Sequence, residues 1–429
     1  MHDRVSASGN NSGEEDEKMK EVITGNTAAA ISAKLSKVDY IPAYPITPQT
    51  EIVQLLSKWI NEGNMDAMFT MLESEHSMIT AAGAASLAGA RVFTATSSQG
   101  LLYGFEMLYN AAGWRAPFVL VNVSRALASP ITLEPDHNDV LSARDSGLIQ
   151  IHTETCQEVL DSIIMAYRIA EDSRVRLPTI VNLDGFYLSF TREPVDVPEQ
   201  SQIDDFLPEF KPAEGYLSAK NPMSIAVAVL SSSAYSYFKY QMHLASLNAL
   251  KVHEEVSAEF EKRFGRRYDA VEEYMLSDVD YVVVMTNSFT TMGKAAINML
   301  RAEGKKVGLL KIRLVRPFPK EEVAKKLAGK KGVAVIDQNV SVGSGGILYN
   351  EISSALYHQL ERPKVVVSFV GGLGGKRITP SEFRHVFNIT ENAAAEGKAP
   401  INSILLFTDR DWSTVKGMLK VAGKGDVVG

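Results

Sequence analysis

Between residues 21 and 183, short runs rich in β-branched and aromatic side chains alternate with stretches whose apolar residues recur at helical spacing. This alternation constrains the fold more than any other feature of the chain. The extended runs fall at residues 40–43, 92–95, 118–123, 149–151 and 178–183, and the helical ones at 21–35, 50–60, 77–89, 101–112 and 157–172. Strands separated by whole helices rather than by tight turns cannot pair as hairpins. They predict a mainly parallel sheet with helices on both faces. The run at 118–123 is the most apolar and reads as a central strand. Residues 77–89 are almost all small and predict a helix buried on every side, whereas residues 136–146 are polar and read as a loop at the sheet rim.

The pattern lapses across residues 193–222, where five prolines mix with acidic residues as in a linker. A long helical stretch at 235–263 follows, an excursion expected to pack on a neighbour. Near Asp278 the alternation resumes, with extended runs at 281–285, 307–312, 333–336 and 365–369 and helical patterns at 291–303, 320–327 and 347–361. The expected fold class is therefore α/β, with two doubly wound, mainly parallel-sheet domains. The expected organisation is a disordered acidic tail (1–20), a first domain (21–200), a linker with its helical excursion (201–277), and a second domain with a tail (278–429).

Composition removes other classes. Against 51 acidic residues stand 44 basic ones, a formal charge of -7, with no basic stripe interleaved with aromatics, so nucleic acid is not an expected partner. Cys156 is the sole cysteine, which rules out an internal disulfide framework and any thiolate cluster or structural zinc site built from this chain alone. No apolar run approaches the roughly 18 residues that span a bilayer. The first 20 residues lack a signal-peptide core, and a cytoplasmic location is expected.

Ligands of open α/β sheets sit beyond the carboxyl ends of the strands, so the candidate chemistry lies there. Glu75 follows the apolar run at 68–72 and opens the small-residue helix, where a carboxylate is poorly solvated; a first-turn helix charge is the competing reading. Thr47, between Pro45 and Pro48 in the Tyr44-Pro45-Ile46-Thr47-Pro48 turn, offers a hydroxyl to a small carboxylate, or else Thr47 or Thr50 caps the following helix. Arg125 ends the most apolar strand, and its guanidinium suits bidentate capture of a carboxylate or a salt bridge with Glu134 or Asp136. Ser98-Gln99-Gly100 leaves a strand and opens a helix, a turn that can offer backbone N–H groups to an anion. His137 and His152 lack metal-ligand spacing and read as solvated or core imidazoles, and Cys156 has no base near it in sequence. The glycine clusters at 343–346 and 371–375 match no complete dinucleotide or phosphate-loop fingerprint and read as tight turns.

In sequence order, seven patches resemble the α subunits of pyruvate:ferredoxin oxidoreductase (pyruvate synthase), in the thiamine-diphosphate-dependent 2-oxoacid:ferredoxin oxidoreductase family. They are Tyr44-Pro45-Ile46-Thr47-Pro48, Glu73-Ser74-Glu75-His76-Ser77, Phe93-Thr94-Ala95-Thr96 with Ser98-Gln99-Gly100-Leu101, Ser124-Arg125-Ala126-Leu127, Asp136-His137-Asn138-Asp139, Arg316-Pro317-Phe318-Pro319 and Gly371-Gly372-Leu373-Gly374-Gly375. The resemblance runs from about residue 21 to residue 385. It implies a pyrimidine-type thiamine-diphosphate domain followed by a transketolase C-terminal-like domain. It further implies that Glu75 hydrogen-bonds the aminopyrimidine ring and that Thr47 and Arg125 hold the 2-oxoacid. Tyr44, Pro45, Ser98, Gln99 and Gly100 then border the cofactor.

The same resemblance implies that this chain carries half a site. Magnesium, the diphosphate and a [4Fe-4S] cluster would be held by a β subunit, with γ and δ iron-sulfur chains passing electrons to ferredoxin and coenzyme A taking the acyl group. The complex would be a dimer of the heteromer. Gln49 after Thr47-Pro48, and the fuller Thr96-Ser97-Ser98 segment, depart from the family's commoner residues and border the pocket, so a branched-chain 2-oxoacid or 2-oxoglutarate stays open beside pyruvate. A reading of another class, a non-catalytic two-domain nucleotide-binding or scaffold protein, makes Glu75, Thr47 and Arg125 mere caps and salt bridges.

Overall fold

The computed structural model describes residues 20–212, 216–220, 222–226, 228–230 and 232–422; the tail expected at residues 1–20 lies, but for Lys20, outside them. The stretch expected as helix from residue 21 opens as a strand. Residues of β1 (Glu21–Thr24) pair antiparallel with a strand at Arg192–Val195, and only then does α1 (Gly25–Leu35) begin. Thr24 sets that start: its hydroxyl accepts from Thr27 N at 3.1 Å, a cap that contributes about 1 kcal/mol. Helical spacing in the sequence ran through residues 21–24 because their only pairing partner lies far along the chain.

In order there follow β2 (Tyr40–Ala43), α2 (Thr50–Asn61), β3 (Met68–Met71), α3 (Glu75–Leu87), β4 (Phe93–Thr96), α4 (Ser98–Tyr103), α5 (Phe105–Trp114) and β5 (Val119–Ser124). Then come α6 (Asn138–Ser142), β6 (Ile149–His152), α7 (Cys156–Ala170), β7 (Thr179–Asp184), β8 (Arg192–Val195) and α8 (Gln200–Phe206). The first sheet runs β6-β7-β5-β4, all parallel, and a Tyr40–Val92 bridge joins it to the parallel pair β2-β3. Every residue of β4, β5, β6 and β7 is buried, as strands covered on both faces must be.

Three local expectations change. Helix α3 is not buried all round: Met78, Ile79, Ala82 and Gly83 face the core, while Ala84 is exposed. The helix expected at 101–112 is two helices, α4 and α5, meeting at Gly104, where a side chain would collide with Ile79 and the Glu75 carbonyl. Residues 136–146 are not a loop, because α6 and a 3₁₀ turn at Ala143–Asp145 occupy them.

Helix α9 (Ser232–Phe264) buries Ala245, Ala249, Val252, Val256 and Phe260 at helical spacing, packing on α7 of the same chain. The second unit contains β9 (Val271–Tyr274), β10 (Tyr281–Met285), α10 (Phe289–Ala302), β11 (Val307–Ile312), β12 (Leu314–Arg316), α11 (Lys320–Leu327) and β13 (Gly332–Asp337). It continues with α12 (Ile347–Leu356), β14 (Val365–Val370), α13 (Pro380–Glu396), β15 (Ile404–Leu405) and α14 (Asp409–Val421). Its sheet has six strands in the order β15-β14-β13-β10-β11-β9, parallel except for the antiparallel edge β9. That edge comes from within the stretch 201–277 read as linker, which also holds α8 in part. Strand β12 crosses back and adds antiparallel to β6 of the first sheet.

The two sheets are locked by buried polar contacts. Asp184, fully buried at the end of β7, accepts from His137, from the backbone and hydroxyl of Ser288, and from Asn287 at the foot of α10. Tyr187 donates to the Gly375 carbonyl at 2.6 Å. Beyond it lies a six-member charge network: Lys311 meets Glu158 at 2.6 Å and Glu154 at 2.9 Å, Arg313 meets Glu158 and Glu272, and Lys294 meets Glu154 and Glu272. Three carboxylates and three cations balance, so the buried charge is neutral as a set.

Candidate active site

The carboxyl end of the first sheet gathers the predicted residues. Ser74, in extended conformation, caps α3 by accepting from Ser77 N at 3.2 Å, so Glu75 is not needed as the cap. Its side chain is 4% exposed and makes no side-chain hydrogen bond to another residue among the described residues. Burial pushes its pKa above the ordinary carboxylate value. The carboxyl rests on Gly100, where an added Cβ would collide with Glu75 Oε1 and Thr96 Oγ1. Glycine is required there by close approach rather than by backbone angle.

Arg125 leaves β5 and turns back over the same rim. Its Nη2 donates to Gln99 Oε1 at 2.6 Å and its Nη1 to the Thr47 carbonyl at 2.6 Å. The salt bridge expected with Glu134 or Asp136 does not form: neither carboxylate is within reach of the guanidinium, and a side-chain amide and a carbonyl take its place. Among the described residues its Nε has no partner, and neither do Thr96 Oγ1, Ser97 Oγ and Gln99 Nε2, all buried atoms. Orphaned buried donors and acceptors in one rim are costly unless a ligand meets them. Thr47 is exposed and caps nothing: α2 begins after Gln49, with no side-chain cap. Tyr44 and Pro45 form the turn before it, braced by Gln49 Nε2 on the Tyr44 carbonyl at 2.8 Å.

The Ser98-Gln99-Gly100 turn works differently from the expected anion cradle. Ser98 N donates to Asp139 and Gly100 N to the Ser97 carbonyl, so neither is free for an anion. The turn instead joins the two halves of the rim, with Gly100 under Glu75 and Gln99 on Arg125. Asp139, which the sequence placed in a polar loop, is fully buried and anchors this arrangement; the Asp136-His137-Asn138-Asp139 patch was its only signal.

His137 and His152 are not lone imidazoles. Their rings meet edge to face at 5.7 Å, and His137 Nε2 lies 2.8 Å from Asp184 Oδ1. Burial alone would lower the His137 pKa, but Asp184 outweighs it and raises the value, whereas burial beside His137 drives His152 down to about 3. Cys156 is fully buried, and burial first, then Glu193, pushes its thiol well above the ordinary range. A thiol reagent should leave the native protein unlabelled and add one adduct by mass after unfolding. The glycine cluster at 371–375 holds a 3₁₀ turn at Leu373–Gly375, with positive φ at Gly372, Gly374 and Gly375.

Known proteins resemble this chain along most of its length. Residues 31–258 match the family model described as pyruvate flavodoxin/ferredoxin oxidoreductase, thiamine diphosphate-binding, and residues 279–383 match pyruvate:ferredoxin oxidoreductase core domain II. Pyruvate synthase subunit PorA of Methanothermobacter thermautotrophicus is 44% identical over 86% of this chain and 95% of its own length. Ketoisovalerate oxidoreductase subunit VorA of Pyrococcus horikoshii is 42% identical over 89% of this chain and 96% of its own. A solved 2-oxoglutarate:ferredoxin oxidoreductase from Magnetococcus marinus superposes with a TM-score of 0.65 at 20% identity, over 88% of this chain and 66% of that one.

The fold and the family match together define an α/β protein with a domain of the thiamine-diphosphate-binding class. Within that class, the chain belongs to the pyruvate:ferredoxin oxidoreductase family.

Proposed function

We propose that this chain is the α subunit of a pyruvate:ferredoxin oxidoreductase, which catalyses the coenzyme-A-dependent, reversible oxidative decarboxylation of pyruvate to acetyl-CoA and CO2 with electrons leaving to ferredoxin. The observation that carries the reading is the buried, side-chain-unpartnered Glu75 carboxyl against Gly100, in the domain that matches the thiamine-diphosphate-binding model. The rim fits the cofactor's pyrimidine end: a desolvated carboxyl and orphaned polar atoms need a polar ligand, and the absence of a side chain at Gly100 lets the Glu75 carboxyl lie against that backbone.

When bound, thiamine diphosphate supplies the nucleophilic thiazolium carbon and the electron sink for decarboxylation. Glu75 holds a proton between its carboxyl and the aminopyrimidine ring, which its raised pKa favours. Arg125, positioned by Gln99 and the Thr47 carbonyl, neutralises the 2-oxoacid carboxylate, and the free Thr47 hydroxyl orients it. Tyr44, Pro45 and Ser98 frame the pocket wall.

One cysteine cannot ligate a [4Fe-4S] cluster, and no group of three or more His, Cys, Asp and Glu among the described residues is placed to hold a metal. Neither group fits this chain. We assign magnesium and the diphosphate to a β subunit, and the clusters to it and to γ and δ chains, in a cytoplasmic complex. Met68, Met71 and Tyr103, exposed on β3 and at the end of α4, give the β subunit an apolar surface beside Glu75 and Gly100. No helix among the described residues is long and apolar enough to cross a membrane.

The test is assembly with the partner subunits, thiamine diphosphate and magnesium, followed by pyruvate-dependent ferredoxin reduction. Absence of both bound thiamine and activity refutes the reading. The VorA relative favours ketoisovalerate as the second substrate to compare, and competition against pyruvate separates the two. In the same assay Arg125→Lys should raise KM for pyruvate at least as much as it lowers kcat, because it removes bidentate binding rather than the electron sink.

A further inference from the structure

We propose that Asp139 is a positioning residue for the substrate end of the site: it ties the ends of β4 and β5 together and thereby sets the pose of the Arg125 guanidinium. The inference rests on the reading of Arg125 as the receptor for the substrate carboxylate.

Asp139 is fully buried, yet its hydrogen-bond partners are all neutral groups. Oδ2 accepts from Ser98 N at 3.0 Å, Asn122 Nδ2 at 3.1 Å and Arg125 N at 3.2 Å; Oδ1 accepts from Ser124 Oγ at 2.7 Å and Val140 N at 2.7 Å. A buried carboxylate satisfied by five neutral donors has no freedom to shift.

Two of those donors close a ring. Ser98 N and Arg125 N share Oδ2, Ser98 leads directly into Gln99, and Gln99 Oε1 takes Arg125 Nη2 at 2.6 Å. The guanidinium is therefore fixed both through its own backbone and through the amide that faces it. Ser98 adds the reason the tie is needed: at φ +50° it holds a left-handed conformation that non-glycine residues avoid. Without its acceptor, Ser98 can relax toward ordinary angles and carry Gln99 off Arg125. Asn122, a polar residue within the buried strand β5, is braced by Asn182 of β7 at 2.8 Å and serves the same anchor.

The test uses the assembled complex. Asp139→Asn keeps the shape but points an amide N–H at one set of donors, and it should raise KM for pyruvate about ten-fold while leaving the apparent Kd for thiamine diphosphate within about two-fold of the parent. Because Asp139 acts through Arg125, the KM effect should shrink to about two-fold or less in an Arg125→Lys background. A purely structural Asp139 gives effects that multiply in that background, or weakens cofactor binding together with KM, and either result overturns the proposal. Should Asp139→Asn fail to assemble, Ser124→Ala, which deletes one donor to Asp139, decides the matter through a smaller rise in KM, about two- to three-fold, and an unchanged KM overturns it. Arg125→Lys with a normal KM refutes the assignment of Arg125 and the proposal with it, whereas an altered Arg125→Lys beside an unaltered Asp139→Asn refutes Asp139 alone.

Discussion

Replacing Glu75 with Gln in the assembled complex should lower kcat by about 10²- to 10⁴-fold, the range expected when a positioned proton-transfer group is lost. The same substitution should make the isolated chain more stable at neutral pH. The sign follows from burial, which raises the Glu75 pKa in the folded state. Below the unfolded value, near 4.3, the carboxyl is protonated in both states and burial costs nothing extra. As pH rises through the folded value, the unfolded chain ionises more readily and stability is lost, so the gain in Glu75→Gln should appear at pH 7 and fade toward pH 4. A first-turn helix charge predicts the opposite, because its loss costs a few tenths to about 1 kcal/mol. Thermal melts of both proteins at the two pH values, without cofactor, distinguish them. Unchanged turnover in Glu75→Gln would refute the role assigned to the carboxyl.

A residue that weakens its own fold while standing at a strand end is how a functional site differs from a structural one. That contrast also marks what could be read from sequence. Both sheets were legible because β4 to β7, and β10 to β14 apart from the short β12, are apolar runs separated by helical ones, a local pattern. The strands that were missed depend on distant partners: β1 on β8, β12 on β6, and β9 on β11. Glu75, Thr47 and Arg125 stood out as charged or hydroxyl groups at the ends of apolar runs. Their mutual arrangement did not, since Arg125 meets Gln99 only because β5 lies beside β4. Asp139 was hidden more deeply, its donors being spread from Ser98 to Val140. The histidine pair was hidden for the same reason, because His137 and His152 belong to different elements that the sheet brings together.

The other large effect should come from the charge network between the sheets. Glu158 accepts from Lys311 Nζ and Arg313 Nε at 2.6 Å each, and all three side chains are almost fully buried. Burial alone would raise its pKa, but Arg313 and Lys311 outweigh burial and hold the value below the ordinary one. Burial is likewise overcome at Glu272, which Lys311 and Arg313 hold down to about 2. Glu158→Ala leaves three cations facing two carboxylates, one buried charge uncompensated, and should cost about 3–5 kcal/mol, with a fall in the unfolding midpoint on the order of 10 °C at pH 7. A lowered carboxylate contributes stability above its unfolded pKa, near 4.3, and loses it as pH falls through the folded value. The gap between parent and variant should therefore narrow in acid. Arg174 supplies the contrast: its pairs with Asp172 and Glu255 lie at the surface, and Arg174→Ala should leave the midpoint where it is. Equal shifts in the two variants would show that the sheets are held by apolar packing alone. A large shift confined to Glu158 would show that the unit bearing Glu75 and Arg125 keeps its place against the second sheet through charge buried between them.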